Sequence, residues 1–182
     1  MLETFGEKRF DARMQIGRHW VRPRHMARET LEQVYFPEMF DYAFMFVRNP
    51  IDRALSEYRY QSRKSFPRWQ AVMGFDRWLA HSLRQSKADP FYRESHFRPQ
   101  SEFRVFGCDV FRIEDGLAPL VQKLREVTEA DITAAPQHLN RTKAQDIRMS
   151  RDSLQAMLCR YAPDFEMFGY PSATSYYAPL LR

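Results

Sequence analysis

A chain of 182 residues with 44% hydrophobic and 15% aromatic content supports one packed domain and excludes wholesale disorder, despite a mean hydropathy of −0.61. No stretch approaches the roughly 20 uninterrupted apolar residues that cross a bilayer, and the charged N-terminus is unlike a signal peptide, so the expectation is a soluble, unexported protein of the cytoplasm without a membrane span. A net charge of +5 favours an anionic partner, although the Lys and Arg residues are scattered along helical segments rather than gathered into a tail.

Residues 1–24 show no clear periodicity and read as a poorly defined N-terminal segment; 25–182 reads as one unit. From His25 to Val34 the run HMARETLEQV is rich in helix formers and is stopped by Pro37. Tyr42 to Val47, YAFMFV, is a continuous apolar run of strand length, expected to be covered on both faces as in a parallel sheet. An amphipathic helix follows, with Ile51, Leu55 and Tyr58 on one stripe. Phe75 to Leu83 repeats the helical pattern after a break at Gly74, and 86–101, with Pro90 and Pro99, reads as a loop. Asp109 to Ile113 is a second strand, followed by a helix from Leu117 to Val127. A long connection over 129–149 contains Pro136; Ser150 or Asp152 then caps a helix over Ser153–Tyr161, and PDFEMFGYP closes the chain's core. With only Cys108 and Cys159, far apart in sequence, a disulfide framework or thiolate metal site is poorly supported, and both read as small core residues; no metal is expected.

The turn between the first strand and its helix carries the chemistry. Asn49 is a good N-cap, Pro50 is pre-organised for the first helical position, and Asp52 lies three residues beyond the cap. A helix start exposes unpaired N–H groups and the positive end of the dipole. Arg48 adds a guanidinium fork that matches a phosphate, and Ser56 lies about two turns into the helix. Many α/β proteins contain such a turn without a ligand.

The segment FMFVRNPIDRALSEYRY at 44–60 resembles the 3′-phosphate-binding motif of sulfotransferases, with Arg48 after the strand and Ser56 eight positions later. HFRPQSEF at 96–103, VFRIED at 110–115, HLN at 138–140 and YAPDFEMFGY at 161–170 also look like this family, in the expected order. The resemblance covers residues 25–171 and is to the carbohydrate-type branch, which includes heparan and chondroitin sulfotransferases and bacterial relatives. It implies a P-loop NTPase-like α/β sulfotransferase fold with a small parallel sheet flanked by helices. It also implies transfer of a sulfuryl group from 3′-phosphoadenosine 5′-phosphosulfate to a hydroxyl of a carbohydrate or similar acceptor. Arg48, Asn49 and Ser56 would form the 3′-phosphate site, with Arg141 and Lys143 closing over the phosphates. His25 is the first candidate for the general base and Glu29 the second; His96 and Gln100 are expected to line the acceptor cleft.

One part of the family pattern has no counterpart. These enzymes begin with a strand and a Lys-containing loop of the type PKTGGTS, whereas here Gly6 and Gly17 are isolated and Lys8, in FGEKRF, is a poor substitute. The readings left open are a start further upstream, a non-catalytic cofactor-binding remnant, and a loop supplied by an oligomeric partner. A basic nucleic-acid-binding protein, suggested by the Arg and aromatic residues interleaved in YRYQSRKSFPRW at 58–69, is outweighed because aromatics at helical spacing are more simply core; no nucleic acid partner is expected.

Overall fold

The computed structural model describes residues 12–63, 73–129, 132 and 147–182. The chain divides into two compact units, one comprising Met1–Val47 and Asp89–Gln137, the other Arg48–Ala88 and His138–Arg182.

In the first unit, β1 (Met14–Ile16) and β2 (His19–Val21) form an antiparallel hairpin. Gly17 turns it with φ of +57°, a conformation that favours glycine. Order thus begins earlier than expected, because three-residue strands are too short to show a period. A 3₁₀ turn, Pro23–His25, then precedes α1 (Arg28–Val34). The helix is shorter than the sequence pattern suggests, and His25 lies in the turn before it. Met26 and Ala27, ahead of the helix, are buried, whereas no residue of α1 itself is fully buried.

β3 (Phe44–Val47) pairs in parallel with β4 (Asp109–Arg112), in a register that sets Phe44 opposite Asp109 and Val47 opposite Arg112. The Tyr42 hydroxyl donates to Asp109 Oδ2 at 2.7 Å, tying the chain ahead of β3 to β4. Val47 is wholly buried, but Phe44 and Phe46 are 40% and 36% exposed, which corrects the expectation of a strand covered on both faces. A continuous apolar run does not distinguish cover by a second layer from cover by neighbouring rings. Here the rings meet edge to face: Phe44 lies 5.9 Å from Phe46 and 6.1 Å from Phe111, within the range of aromatic pairing. After β4 comes α4 (Ala118–Thr128), whose Arg125 donates twice to the carbonyl of Ile132.

The second unit is helical. α2 (Pro50–Arg63), α3 (Phe75–Ala88) and α5 (Arg151–Arg160) pack on one another, and α6 (Ala162–Phe168) follows α5. Helix α3 runs past Leu83 because no breaker intervenes before Pro90. Ile51 and Leu55 of α2 are buried, as are Phe75, Trp78 and Leu79 of α3 and Leu154 and Met157 of α5. Tyr58 packs against both Phe75 (5.4 Å) and Trp78 (5.2 Å), and the Trp78 indole N–H donates to Gln61 Oε1 at 3.0 Å. Tyr58 of α2 and Phe75 and Trp78 of α3 therefore pack in the core, whereas Tyr60 of α2 is exposed. Cys108 is buried as expected, but Cys159, on α5, is exposed; the weak stripe of α5 left its facing unresolved in the sequence. The α/β architecture with a small parallel sheet and helices agrees with the expectation.

Ser150 is the residue that caps α5, its Oγ accepting from Ser153 N at 3.1 Å. Asp76 at the start of α3 accepts from Ser150 N at 3.0 Å and pairs with Arg182. Burial alone would raise the Asp76 carboxyl, but hydrogen bonds from Ser153, Ser150 and Arg182 outweigh it and hold the group below the usual carboxylate range. Such a group stabilises the fold above its unfolded pKa and loses that contribution as pH falls through the folded one. Asp76→Asn is expected to cost about 1–2 kcal/mol at pH 7, a deficit that shrinks as the pH is lowered below about 4; denaturant melts of both proteins at the two pH values check this.

Candidate functional site

The first group of candidate residues lies at the start of α2. Asn49 is 6% exposed, and its Oδ1 accepts from Ile51 N at 2.9 Å and Asp52 N at 3.4 Å, which is the cap expected from the sequence. Its Nδ2 donates to Tyr177 Oη at 2.9 Å, and the Tyr177 hydroxyl in turn donates to the carbonyl of Pro171 at 2.7 Å. Burial holds the Tyr177 hydroxyl above the ordinary phenol range, so it stays neutral and available as both donor and acceptor. The Asn49 side chain is thus committed to the turn, and the N–H groups of Ile51 and Asp52 already have a partner. What the turn offers an anion is the half-buried Arg48 ahead of the cap and the half-buried Ser56 on the helix. Arg141 and Lys143, with the HLN segment, lie outside the described residues.

Removing the cap tests this arrangement. Asn49→Ala is expected to cost about 1–2 kcal/mol, and Tyr177→Phe about 1 kcal/mol through the lost hydrogen bonds. The double variant should cost less than the sum, since both act on one network; denaturant unfolding of the four proteins measures the coupling.

The second group lies in the first unit. The rings of His25 and His96 are 4.8 Å apart, inclined by 37°, so two residues assigned separate roles from the sequence are neighbours. Glu94 presents Oε2 to His25 Nε2 at 3.6 Å. The same carboxylate accepts from Arg22 Nη1 at 3.0 Å and 2.9 Å and from Arg13 Nη2 at 2.8 Å. Burial is the main reason the His25 pKa is lowered to about 4, with His96, Arg24 and Arg22 adding to it and Glu94 opposing it. At neutral pH the imidazole is therefore uncharged, and its contact with Glu94 is one between a carboxylate and a neutral ring.

Glu29, the second candidate base, is placed differently. It is exposed and pairs with Arg98 at 2.6 Å, while Arg98 also binds Glu102 at 2.5 Å. Its carboxylate anchors α1 to the chain around residues 98–102 instead of approaching His25 or His96 through any contact described. Gln100 is buried and opens the 3₁₀ turn Gln100–Phe103.

Between these residues runs an unusual backbone. Arg93, Glu94 and Ser95 all have positive φ, at 53°, 52° and 65°. For residues other than glycine each such conformation costs roughly 1–2 kcal/mol. The Ser95 and Tyr92 hydroxyls are buried and have no hydrogen-bond partner among the described residues, a further cost of about 1–3 kcal/mol each. Sequence reasoning missed Glu94, Arg22, Arg13 and Tyr177. Glu94 had one weak signal, an acidic residue two places before His96 in a loop already marked for function; Arg13 and Arg22 had none, because an ion pair 72 or 81 residues apart in sequence leaves no local pattern.

A family model described as the sulfotransferase family matches residues 5–171. No curated protein and no solved structure matches the chain. The matched span takes in β3, the capped turn with Arg48 and Ser56, the His25–His96 pair and β4, which is nearly the whole length of the chain. The chain belongs to the sulfotransferase family.

Proposed function

We propose that this protein transfers a sulfuryl group from 3′-phosphoadenosine 5′-phosphosulfate to a hydroxyl of a carbohydrate or similar acceptor. The observation that carries the reading is the capped turn at 48–56, where Arg48 and Ser56 flank a helix start whose geometry Asn49 and Tyr177 hold. A guanidinium fork and a hydroxyl suit a phosphate ester with several acceptor oxygens, so the residues present fit the 3′-phosphate end of the donor. For the sulfonate end, no Lys-bearing loop occurs among the described residues, and Lys8 lies outside them. When bound, the donor supplies an activated sulfuryl group.

The chain's own residues then have distinct tasks. Arg48 and Ser56 hold the donor phosphate, with Arg141 as a further phosphate contact. His25 takes the proton from the acceptor hydroxyl, and His96 and Gln100 contact the acceptor. A base with a pKa of about 4 is unprotonated at neutral pH. Its proton affinity is lower than that of an ordinary imidazole, which weakens the driving force for proton removal. A buried, neutral imidazole also avoids placing a fixed cation beside a hydroxyl that must become nucleophilic.

Calorimetry with 3′-phosphoadenosine 5′-phosphate tests the donor site. The folded chain should bind it, Arg48→Ala about 10- to 100-fold more weakly and Ser56→Ala about 5- to 10-fold more weakly; absence of binding refutes the donor assignment. Transfer of radiolabelled sulfate to a glycan tests the activity, with binding but no transfer identifying a non-catalytic protein. In an active protein His25→Ala should reduce kcat by about 10²–10⁴-fold and leave donor binding unchanged. Because the His25 pKa is lowered, kcat/KM should hold steady from neutral pH down to about pH 5 and fall only as the pH approaches about 4. A fall centred near 6.5 would show that a group with an ordinary imidazole pKa controls the rate, against a His25 base with its pKa lowered.

A further inference from the structure

We propose that Glu94 is the positioning residue for His25, holding the imidazole with Nε2 toward its carboxylate so that Nδ1 is the nitrogen that receives the acceptor's proton. The inference rests on the reading of His25 as the base and adds the residue that orients it.

The geometry is specific to this carboxylate. Both oxygens are engaged by guanidinium groups, Arg22 Nη1 reaching Oε1 at 3.0 Å and Oε2 at 2.9 Å and Arg13 Nη2 reaching Oε1 at 2.8 Å. Held in that fork, Oε2 presents its remaining side to His25 Nε2 at 3.6 Å. His96, two residues further on, lies beside the same imidazole with its ring centroid at 4.8 Å. One short stretch of chain therefore supplies two of the neighbours of His25.

That stretch is also the most strained described backbone. Arg93, Glu94 and Ser95 adopt left-handed φ in succession, and none is of the Asn, Asp or Gly types that do so readily. Ser95, 1% exposed, buries a hydroxyl with no hydrogen-bond partner among the described residues. Strain and a buried unsatisfied hydroxyl in one turn are better explained by what the turn positions than by its stability.

A carboxylate behind a histidine selects the tautomer, because the nitrogen facing it carries the proton and the other keeps its lone pair. In the proton step the acceptor's O–H bond breaks and an N–H bond forms at Nδ1. The resulting imidazolium has its positive charge beside the Glu94 carboxylate, which is ionised because its own pKa is held low: burial opposes this, and Arg22, His25 and Arg13 prevail. The other charged or titratable groups facing His25 are His96, Arg22 and Arg24. The two arginines and a protonated His96 would disfavour that imidazolium, so Glu94 is the one neighbour among these that stabilises it.

The test uses the full chain labelled with ¹⁵N-histidine. In the unmodified protein the ¹⁵N shifts of His25, assigned by comparison with His25→Gln, should place the proton on Nε2 and leave Nδ1 bare. Glu94→Asn keeps a residue that tolerates left-handed backbone but withdraws the carboxylate; it should give a mixture of tautomers and lower kcat by roughly 10- to 100-fold with KM unchanged. Glu94→Asp should recover part of the loss. A proton on Nδ1 in the unmodified protein overturns the proposal, as does a Glu94→Asn protein with unchanged tautomer and kcat. The tautomer measurement on the unmodified chain needs no variant to fold. If the chain transfers no sulfate, the sulfotransferase reading fails separately, while the ¹⁵N shifts still decide whether Glu94 holds His25.

Discussion

Three hydrogen bonds of the Asn49 side-chain amide, two accepted and one donated, hold the turn on which the proposed donor site is built. The carbonyl oxygen closes the start of α2 through Ile51 and Asp52, and the amide nitrogen reaches Tyr177. Fixing this cap fixes the start of the helix that carries Ser56. The site's orientation thus depends on a residue that need not touch the ligand.

Tyr177 extends that constraint to the end of the chain. It belongs to the 3₁₀ turn Thr174–Leu180, beyond residues 5–171 that match the family. The segment is fastened again where Leu181 bridges Met149, where Arg148 donates to the carbonyl of Pro179, and where Arg182 meets Asp76. Asp76 also accepts from Ser150 N, next to the cap of α5. The capped starts of α2 and α5 and the first turn of α3 are consequently linked through one C-terminal segment, and loosening it should be felt at each of them.

In the helical unit the buried polar groups Asn49 and Gln61 have partners, although the Ser82 hydroxyl on α3 has none among the described residues. The loop beside His25 keeps three left-handed residues and two orphaned hydroxyls within positions 92–95, next to an imidazole of lowered pKa. Strain concentrated beside a candidate base is the pattern expected of a site whose geometry matters more than its local stability.

Much of the framework was legible from residue order alone. Val47, Arg48, Asn49 and Pro50 in succession specify a strand end, a cation, a cap and a first helical turn through their own stereochemistry, and Ser150 caps α5 for the same local reason. Both strands of the parallel sheet and every helix of ten or more residues among the described residues carried a pattern strong enough to place, with ends displaced by a few residues. Local patterns say nothing, however, about which distant groups meet. That Phe44 meets Phe111 of the neighbouring strand, that Glu29 is taken by Arg98 and that Glu94 joins Arg13, Arg22 and His25 are outcomes of packing between segments far apart in sequence. Sequence determined the capped turn proposed to bind phosphate because its chemistry lies within nine consecutive residues; only the tertiary structure decided the surroundings of His25, because they are assembled from the chain flanking the hairpin, the 3₁₀ turn and a strained loop about 70 residues later.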